Sequence, residues 1–90
     1  MEFSHSREYL DGNQYVRVDC DTQCNVLLTD DVNYGHFTNG RSYRYYGGFF
    51  KQFPAMLVPP YPGYWNITLD LGGGTSATVR YSIEAVTIQP

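Results

Sequence analysis

Arginine and tyrosine side chains are concentrated in the middle of this 90-residue sequence. Residues 32 to 69 contain no Asp or Glu, and they hold three basic residues and eleven of the fifteen aromatic ones. Arginine offers a rigid set of N–H donors for anions, and tyrosine offers a flat amphipathic surface for sugars or peptides. The predicted ligand-binding residues are Arg41, Arg44, Tyr46, Tyr61 and Tyr64.

The same composition has a purely structural interpretation. A small domain fills its core efficiently with large aromatic residues, and arginine stacks on tyrosine on ordinary sheet surfaces. In a strand from Ser42 to Tyr46, alternate side chains point to opposite faces, and one of those faces belongs to the core. Both interpretations stay open at this point, and the direction in which Tyr46, Tyr61 and Tyr64 point decides between them.

Catalytic chemistry has few candidates in this chain. Neither His5 nor His36 lies in a recognisable setting with a nucleophile. Asp30 and Asp31 are expected to cap a turn or a helix, because a calcium loop needs further oxygen ligands at fixed spacing. We therefore expect no catalytic residues, no metal site and no cofactor. A small hydrolase or metal enzyme, joining a histidine to these acids or to Cys20, is the least favoured function.

Three residues separate the two cysteines, Cys20 and Cys24. Disulfide scaffolds of this size usually carry at least four cysteines, and a tetrahedral metal site would need both histidines as further ligands. Each cysteine belongs to an alternating apolar run, which favours two small buried side chains. A disulfide between them is also compatible with the spacing if the two face each other, and the sequence leaves this open.

Alternation of apolar and polar side chains, typical of half-buried β-strands, dominates the chain. It is clearest from Val16 to Cys20, from Cys24 to Leu28 and from Trp65 to Leu71. Three residues join the first two segments, which predicts a β-hairpin. In the third segment we expect the apolar residues to lie inside and Asn66 and Thr68 to face water.

Further strands are predicted at residues 3–10, 42–46 and 54–58. Gly72-Gly73-Gly74 is expected to turn the chain into a partner for the preceding strand, with a bulge or bend near Ala85 or Val86 where the alternation slips. Gly47-Gly48 predicts a turn or bulge between two strands. Asp31 begins a segment that fits one helical turn.

These elements predict an all-β fold. Seven to nine short strands without a sustained helical period are typical of an antiparallel β-sandwich, either jelly-roll-like or a flattened barrel, with at most one short helical turn. Ninety residues suit a single domain over residues 1–90.

A net charge of -3 and a pI near 5.0 disfavour a general nucleic-acid binder. Because no signal-like or membrane-length apolar run is present, we expect a cytoplasmic protein without membrane contact.

Several short motifs follow one another in a fixed order. They are Asn33-Tyr34, Gly40-Arg41, Tyr45-Tyr46-Gly47-Gly48, Val58-Pro59, Gly63-Tyr64-Trp65, Asp70-Leu71-Gly72-Gly73 and Val79-Arg80. Together they resemble a small uncharacterised bacterial family of all-β domains of unknown function, over most of the chain from His5 to Ile83. The family occurs alone or fused to Toll/interleukin-1-receptor (TIR) domains, so the resemblance implies a sandwich fold and a sensing or interaction role. It implies no catalytic residues.

The sequence therefore predicts a non-enzymatic binding or sensing module that uses the arginine and tyrosine residues named above. Its partner would be a small anionic or sugar-like ligand or a protein segment. The alternative is a protein-interaction or self-assembly domain, in which the edge strands pair with another chain and Phe49 or Phe50 supplies an apolar anchor.

Overall fold

The computed structural model of the chain describes residues 3–71 and 79–88. Within those ranges the elements are β1 (Phe3–Leu10), β2 (Gln14–Cys20), β3 (Cys24–Thr29), α1 (Asp31–Thr38), β4 (Tyr46–Phe50), β5 (Ala55–Leu57), β6 (Gly63–Asp70) and β7 (Tyr81–Thr87). The strands form a four-stranded sheet in the order β1-β6-β3-β4 and a three-stranded sheet in the order β5-β2-β7. All pairings between the described strands are antiparallel. Because these strands form two separate sheets, the fold is confirmed as a β-sandwich and is not a closed barrel.

The hydrophobic core lies between the two sheets. Its buried members are Leu10, Val16, Val18, Cys24, Val26, Leu28, Ala55, Leu57, Trp65, Ile67 and Leu69. They include most of the inward sets that the alternation predicted for β2, β3 and β6, while Cys20 and Leu71 are partly buried and pack against this core. The sequence pattern therefore identified correctly which apolar side chains of these strands enter the core.

The predicted hairpin between β2 and β3 is wrong. β2 pairs with β5 and β7 in the three-stranded sheet, whereas β3 pairs with β4 and β6 in the other sheet. Residues 21–23 therefore cross from one sheet to the other, and Cys20 and Cys24 lie close together between the two sheets. The alternation gave the correct buried faces because a hairpin and this crossing both place the same apolar side chains inside.

The strand predicted to pair with β6 lies elsewhere. β6 pairs with β1 on one side and β3 on the other, while β7 pairs with β2. The β2–β7 register runs without interruption from Gln14 opposite Thr87 to Cys20 opposite Tyr81, so the strand has no bulge near Ala85 or Val86, and that alternative of the prediction is wrong. The predicted glycine turn at residues 72–74 lies outside the described residues.

The strand predicted at residues 42–46 is displaced towards the C-terminus. β4 begins at Tyr46, and Gly47-Gly48 lies inside it instead of turning the chain. Gly47 has a φ of +109°, and a Cβ atom there would collide with the carbonyl oxygen of Val26 and lie 3.3 Å from Leu57 Cδ2. This close approach explains the glycine. The strand predicted at residues 54–58 is confirmed in its central part as β5.

Helix α1 covers the outer face of the four-stranded sheet. It has eight residues, so it is longer than the single turn expected. Phe37 packs edge-on against Phe3, with their ring centroids 5.3 Å apart. Because this cover excludes water, Asn66 and Thr68 are each only 1% exposed, and the prediction that they face solvent is wrong. No helix in the described part of the chain is both long and apolar enough to cross a membrane.

Candidate functional site

Four tyrosines lie at one end of the four-stranded sheet, where β1 and β3 end and β4 and β6 begin. They form two groups, because Tyr64 pairs with Tyr9 on the outer face, whereas Tyr46 and Tyr61 contact Trp65 on the core side. We call this surface the tyrosine end; its tyrosines are Tyr9, Tyr46, Tyr61 and Tyr64. Their exposed fractions lie between 49% and 55%, so each ring is partly held by neighbours and partly open to solvent. The three tyrosines predicted from the sequence therefore point at least partly outward.

Tyr9 and Tyr64 occupy directly opposite positions on β1 and β6. Their rings meet edge to face with centroids 5.3 Å apart. The guanidinium carbon of Arg7 lies 4.0 Å from the centroid of Tyr64, within the range of a cation–π contact. Arg7 also donates two hydrogen bonds to Asp31, from Nε to Oδ1 at 3.0 Å and from Nη2 to Oδ2 at 2.8 Å. This two-point pairing fixes the guanidinium against the tyrosine ring.

Asn66 supports this pair from beneath. Its Nδ2 donates to Asp31 Oδ1 at 2.8 Å and to the carbonyl of Thr29 at 3.3 Å. Its Oδ1 lies 2.8 Å from Nε2 of His5. The amide thereby ties the start of α1 to strands β1 and β3. His5 is connected to Asp31 through Asn66, but none of these hydrogen bonds involves a hydroxyl or thiol nucleophile.

Tyr61 and Tyr46 cover the indole of Trp65. The Tyr61 ring centroid is 4.9 Å from that of Trp65, and the Tyr46 centroid is 6.0 Å away. Trp65 Nε1 donates to the carbonyl oxygen of Tyr61 at 3.0 Å. The Tyr61 hydroxyl in turn donates to Asp30 Oδ2 at 3.4 Å. Desolvation, followed by the neighbouring Asp30 carboxylate, raises the pKa of Tyr61.

Asp30 joins the two halves of the surface. It caps α1, because its Oδ1 accepts a hydrogen bond from the backbone N–H of Asn33 at 2.8 Å. One series of contacts runs through Tyr9, Tyr64, Arg7 and Asp31, and a second runs through Asp30, Tyr61, Trp65 and Tyr46. The two series are joined along the backbone, because Asp30 and Asp31 are consecutive residues. Residues 32 to 69 contain no acidic residue, but the fold places Asp30 and Asp31 beside their tyrosines at this surface. Sequence reasoning expected Asp30 and Asp31 to cap a turn but missed Arg7 and Tyr9, because they come from a distant strand.

The two predicted arginines lie beside α1. Gly40, at a φ of +70°, ends the helix: its N–H donates to Phe37 O, and the N–H of Arg41 donates to His36 O. The N–H of Arg44 donates to Asn33 Oδ1 at 2.8 Å. A cleft of about 300 Å³ is lined by Asn33, His36, Ser42, Tyr43 and Arg44. The structure therefore places Arg44 in a cleft that Tyr46, Tyr61 and Tyr64 do not line.

A second, apolar groove of about 710 Å³ runs along residues 49–56, where β4 turns into β5. Phe49 is exposed there and Phe50 is half-buried, as adjacent strand residues on opposite faces should be.

Among the residues that the structure describes, no group of three or more His, Cys, Asp or Glu side chains is arranged to hold a metal ion.

The Arg7–Asp31 pair gives a pH prediction. Hydrogen bonds from Arg7 and then from Asn66 lower the pKa of Asp31 from 3.8 to about 2. Because its pKa is lower in the folded protein, the ionised Asp31 carboxylate stabilises the fold at pH values above its ordinary pKa of 3.8. This stabilisation is lost as the pH falls from about 4 to about 2. Because Asp31 is half-exposed, we expect a gain of about 1 kcal/mol or less.

The measurement is thermal unfolding of the wild type and Asp31→Asn in small pH steps. The wild type should lose melting temperature more steeply below about pH 4, so that the difference between the two proteins shrinks towards about pH 2. Two parallel curves over this interval would contradict the assignment.

Among the comparisons with known proteins, only the comparison with family profiles gives a match. Neither the curated proteins nor the solved structures contain a significant match. The sequence profile of a domain of unknown function, DUF1883, matches residues 1–89. This match covers almost the whole chain, including both sheets, α1 and the tyrosine end. The chain therefore belongs to the DUF1883 family of domains of unknown function.

Proposed function

We propose that this protein is a non-enzymatic binding module that recognises a polypeptide segment through the tyrosine end. The observation that carries the proposal is that two sets of half-exposed tyrosines, Tyr9 with Tyr64 and Tyr46 with Tyr61, are held at the same end of the sheet. Tyrosine supplies a large amphipathic contact area with only two rotatable side-chain bonds, which keeps its ordering cost low. Here the rings are already held by Arg7, Trp65 and each other, so binding needs little further ordering.

The polar groups of the tyrosine end indicate the chemistry of the partner. Asp30 and Asp31 bring two carboxylates to a surface with the single guanidinium of Arg7. A segment with aromatic or aliphatic side chains and at least one basic residue complements this combination. An interaction of this kind fits the sensing role that the resemblance to a bacterial, TIR-fused family implies.

The proposal competes with two other binding modes. A small anionic or sugar-like ligand would use the cleft lined by Arg44 and His36. Self-assembly would use an edge strand such as β4, with exposed Phe49 as anchor. Each mode depends on different side chains, so variants at Tyr64, Arg44 and Phe49 separate the three.

The test selects peptides from a random display library on the immobilised full chain and measures the affinity of a selected synthetic peptide by calorimetry. Tyr9→Ala and Tyr64→Ala should each weaken binding by at least about tenfold, because they remove central aromatic anchors. Tyr81→Ala is the matched control. Tyr81 is 47% exposed and lies at the opposite end of the sandwich, so its loss should change the affinity by less than about twofold.

Thermal unfolding of each variant verifies that it is folded. Failure to select any peptide, or equal affinities for the wild type and Tyr64→Ala, would contradict the proposal. If Arg44→Ala abolished binding while both tyrosine variants bound normally, the site would move to the arginine cleft. Loss of binding in Phe49→Ala alone would instead assign it to the β4 edge.

A further inference from the structure

Cys20 and Cys24 face each other at the end of the sandwich opposite the tyrosine end. β2 finishes at Cys20 in one sheet, and β3 starts at Cys24 in the other. Their Sγ atoms are 4.0 Å apart. A disulfide requires a separation of about 2 Å, so the two sulfurs must approach each other by about 2 Å in total. Residues 21–23, the short crossing between the sheets, keep the two thiols within reach of each other.

The two thiols differ in their access to solvent. Cys24 is 2% exposed and belongs to the core. Cys20 is half-buried and lines two surface clefts of about 360 Å³ and 390 Å³. Asp19 and Asp21 line both clefts, with Arg80 in the first and Lys51 in the second. Burial, followed by the neighbouring Cys20, raises the pKa of the Cys24 thiol to about 12. An external reagent therefore meets Cys20 first, while Cys24 stays a protonated thiol behind it.

We propose that Cys20 and Cys24 form a reversible disulfide that joins the two sheets, with Cys20 as the attacking thiol and Cys24 as the resolving thiol. The oxidant is a small-molecule disulfide of the glutathione class. In the first step the Cys20 thiolate attacks one sulfur of the oxidant. The oxidant's S–S bond breaks, a mixed disulfide forms on Cys20, and one glutathione leaves as a thiolate that takes up a proton.

In the second step Cys24 loses its proton to solvent base and attacks Sγ of Cys20. The mixed disulfide breaks, the Cys20–Cys24 bond forms, and a second glutathione leaves and is protonated. Two protein thiols are thereby oxidised by two electrons, and one glutathione disulfide is reduced to two glutathiones. Excess reduced glutathione drives the same steps backwards.

The disulfide would restrain the sandwich at one end only. It would tie β2 to β3 next to Phe50 and Phe53, which pack against the same core. The tyrosine end lies at the other end of β3, so the disulfide should raise stability without changing recognition there. The oxidation site is therefore independent of the proposed binding function.

The experiment equilibrates the reduced full chain with mixtures of reduced and oxidised glutathione, alkylates the remaining thiols and records the intact mass. We expect the wild type to lose both thiols together as a monomer and to recover both in excess reduced glutathione. Its melting temperature should rise by roughly 5–10 °C on oxidation, because the bond restricts the unfolded chain. Cys24→Ser should stop with one glutathione attached to Cys20.

The matched variant Cys20→Ser should react with glutathione disulfide at least about tenfold more slowly than Cys24→Ser, because its remaining thiol is buried. Because Cys24 lies in the core, Cys24→Ala is measured alongside Cys24→Ser so that the result does not depend on how one polar replacement folds. Two free wild-type thiols in excess glutathione disulfide would overturn the proposal. Glutathione retained on wild-type Cys20, or a bond between two chains, would overturn it as well.

Discussion

Replacing Gly47 by alanine is expected to destabilise the fold by about 3–5 kcal/mol, whereas the neighbouring Gly48→Ala should cost about 1–3 kcal/mol. Both glycines have a positive φ, +109° at Gly47 and +148° at Gly48, so both variants carry a conformational penalty. They differ in the space around the added methyl group. At Gly47 it meets the backbone oxygen of Val26, while at Gly48 no atom lies within 4 Å.

Urea unfolding of the two variants and the wild type measures this difference. A domain of this length is stabilised by about 5–13 kcal/mol in total, so Gly47→Ala should remove at least about a quarter of the free energy of unfolding. Val26 lies on an interior strand, and its carbonyl cannot retreat without disturbing the β3 ladder. Equal unfolding midpoints for Gly47→Ala and Gly48→Ala would show that the close approach of β4 to β3 does not require the glycine.

Gly47 also shows where sequence reasoning about the fold reaches its limit. Two consecutive glycines are typical of a turn, because a positive φ carries no steric penalty in glycine. The same freedom suits a strand that must approach its neighbour more closely than a Cβ atom permits. Only the position of Val26 and Leu57 distinguishes the two, and both are distant from Gly47 in sequence.

Which strands pair with each other was less predictable than which side of each strand is buried, because pairing also depends on residues distant in sequence. The alternation at β2 and β3 depends on which side of each strand is buried, so it identified Val18 and Val26 as core residues. It contains no information on whether the next strand lies beside the first or across from it. Three connecting residues satisfy either arrangement, and here residues 21–23 cross between the sheets.

The candidate site was predictable in part. Composition drew attention to Tyr46, Tyr61 and Tyr64, and all three lie at the tyrosine end. Arg7 and Tyr9 could not be found in this way, because the β1–β6 register brings them to the site from the other end of the chain. Polar residues under α1 were missed because their burial is caused by a helix that covers an otherwise exposed sheet face.

Trp65 connects the hydrophobic core to the tyrosine end, and its replacement should therefore affect both stability and binding. Trp65→Ala is expected to cost about 3–5 kcal/mol, because it removes a large side chain that is 1% exposed. Trp65→Phe keeps part of the ring volume but loses the hydrogen bond to the Tyr61 carbonyl, and we expect a cost of about 1–3 kcal/mol. In Trp65→Phe the rings of Tyr61 and Tyr46 lose part of the ring surface that they contact.

For the peptide selected on the wild type, Trp65→Phe should therefore weaken binding by about tenfold although it changes no exposed atom of the four tyrosines. Ile67→Val is the matched control. It lies on the same strand and the same inward face, costs about 0.5–1.5 kcal/mol, and has no ring contact with the tyrosines. If both variants lost stability and neither lost affinity, the rings would not need the indole to hold them, and the recognition surface would end at Tyr9 and Tyr64. Loss of affinity in Trp65→Phe alone would show that the buried indole holds Tyr46 and Tyr61 in their binding conformation.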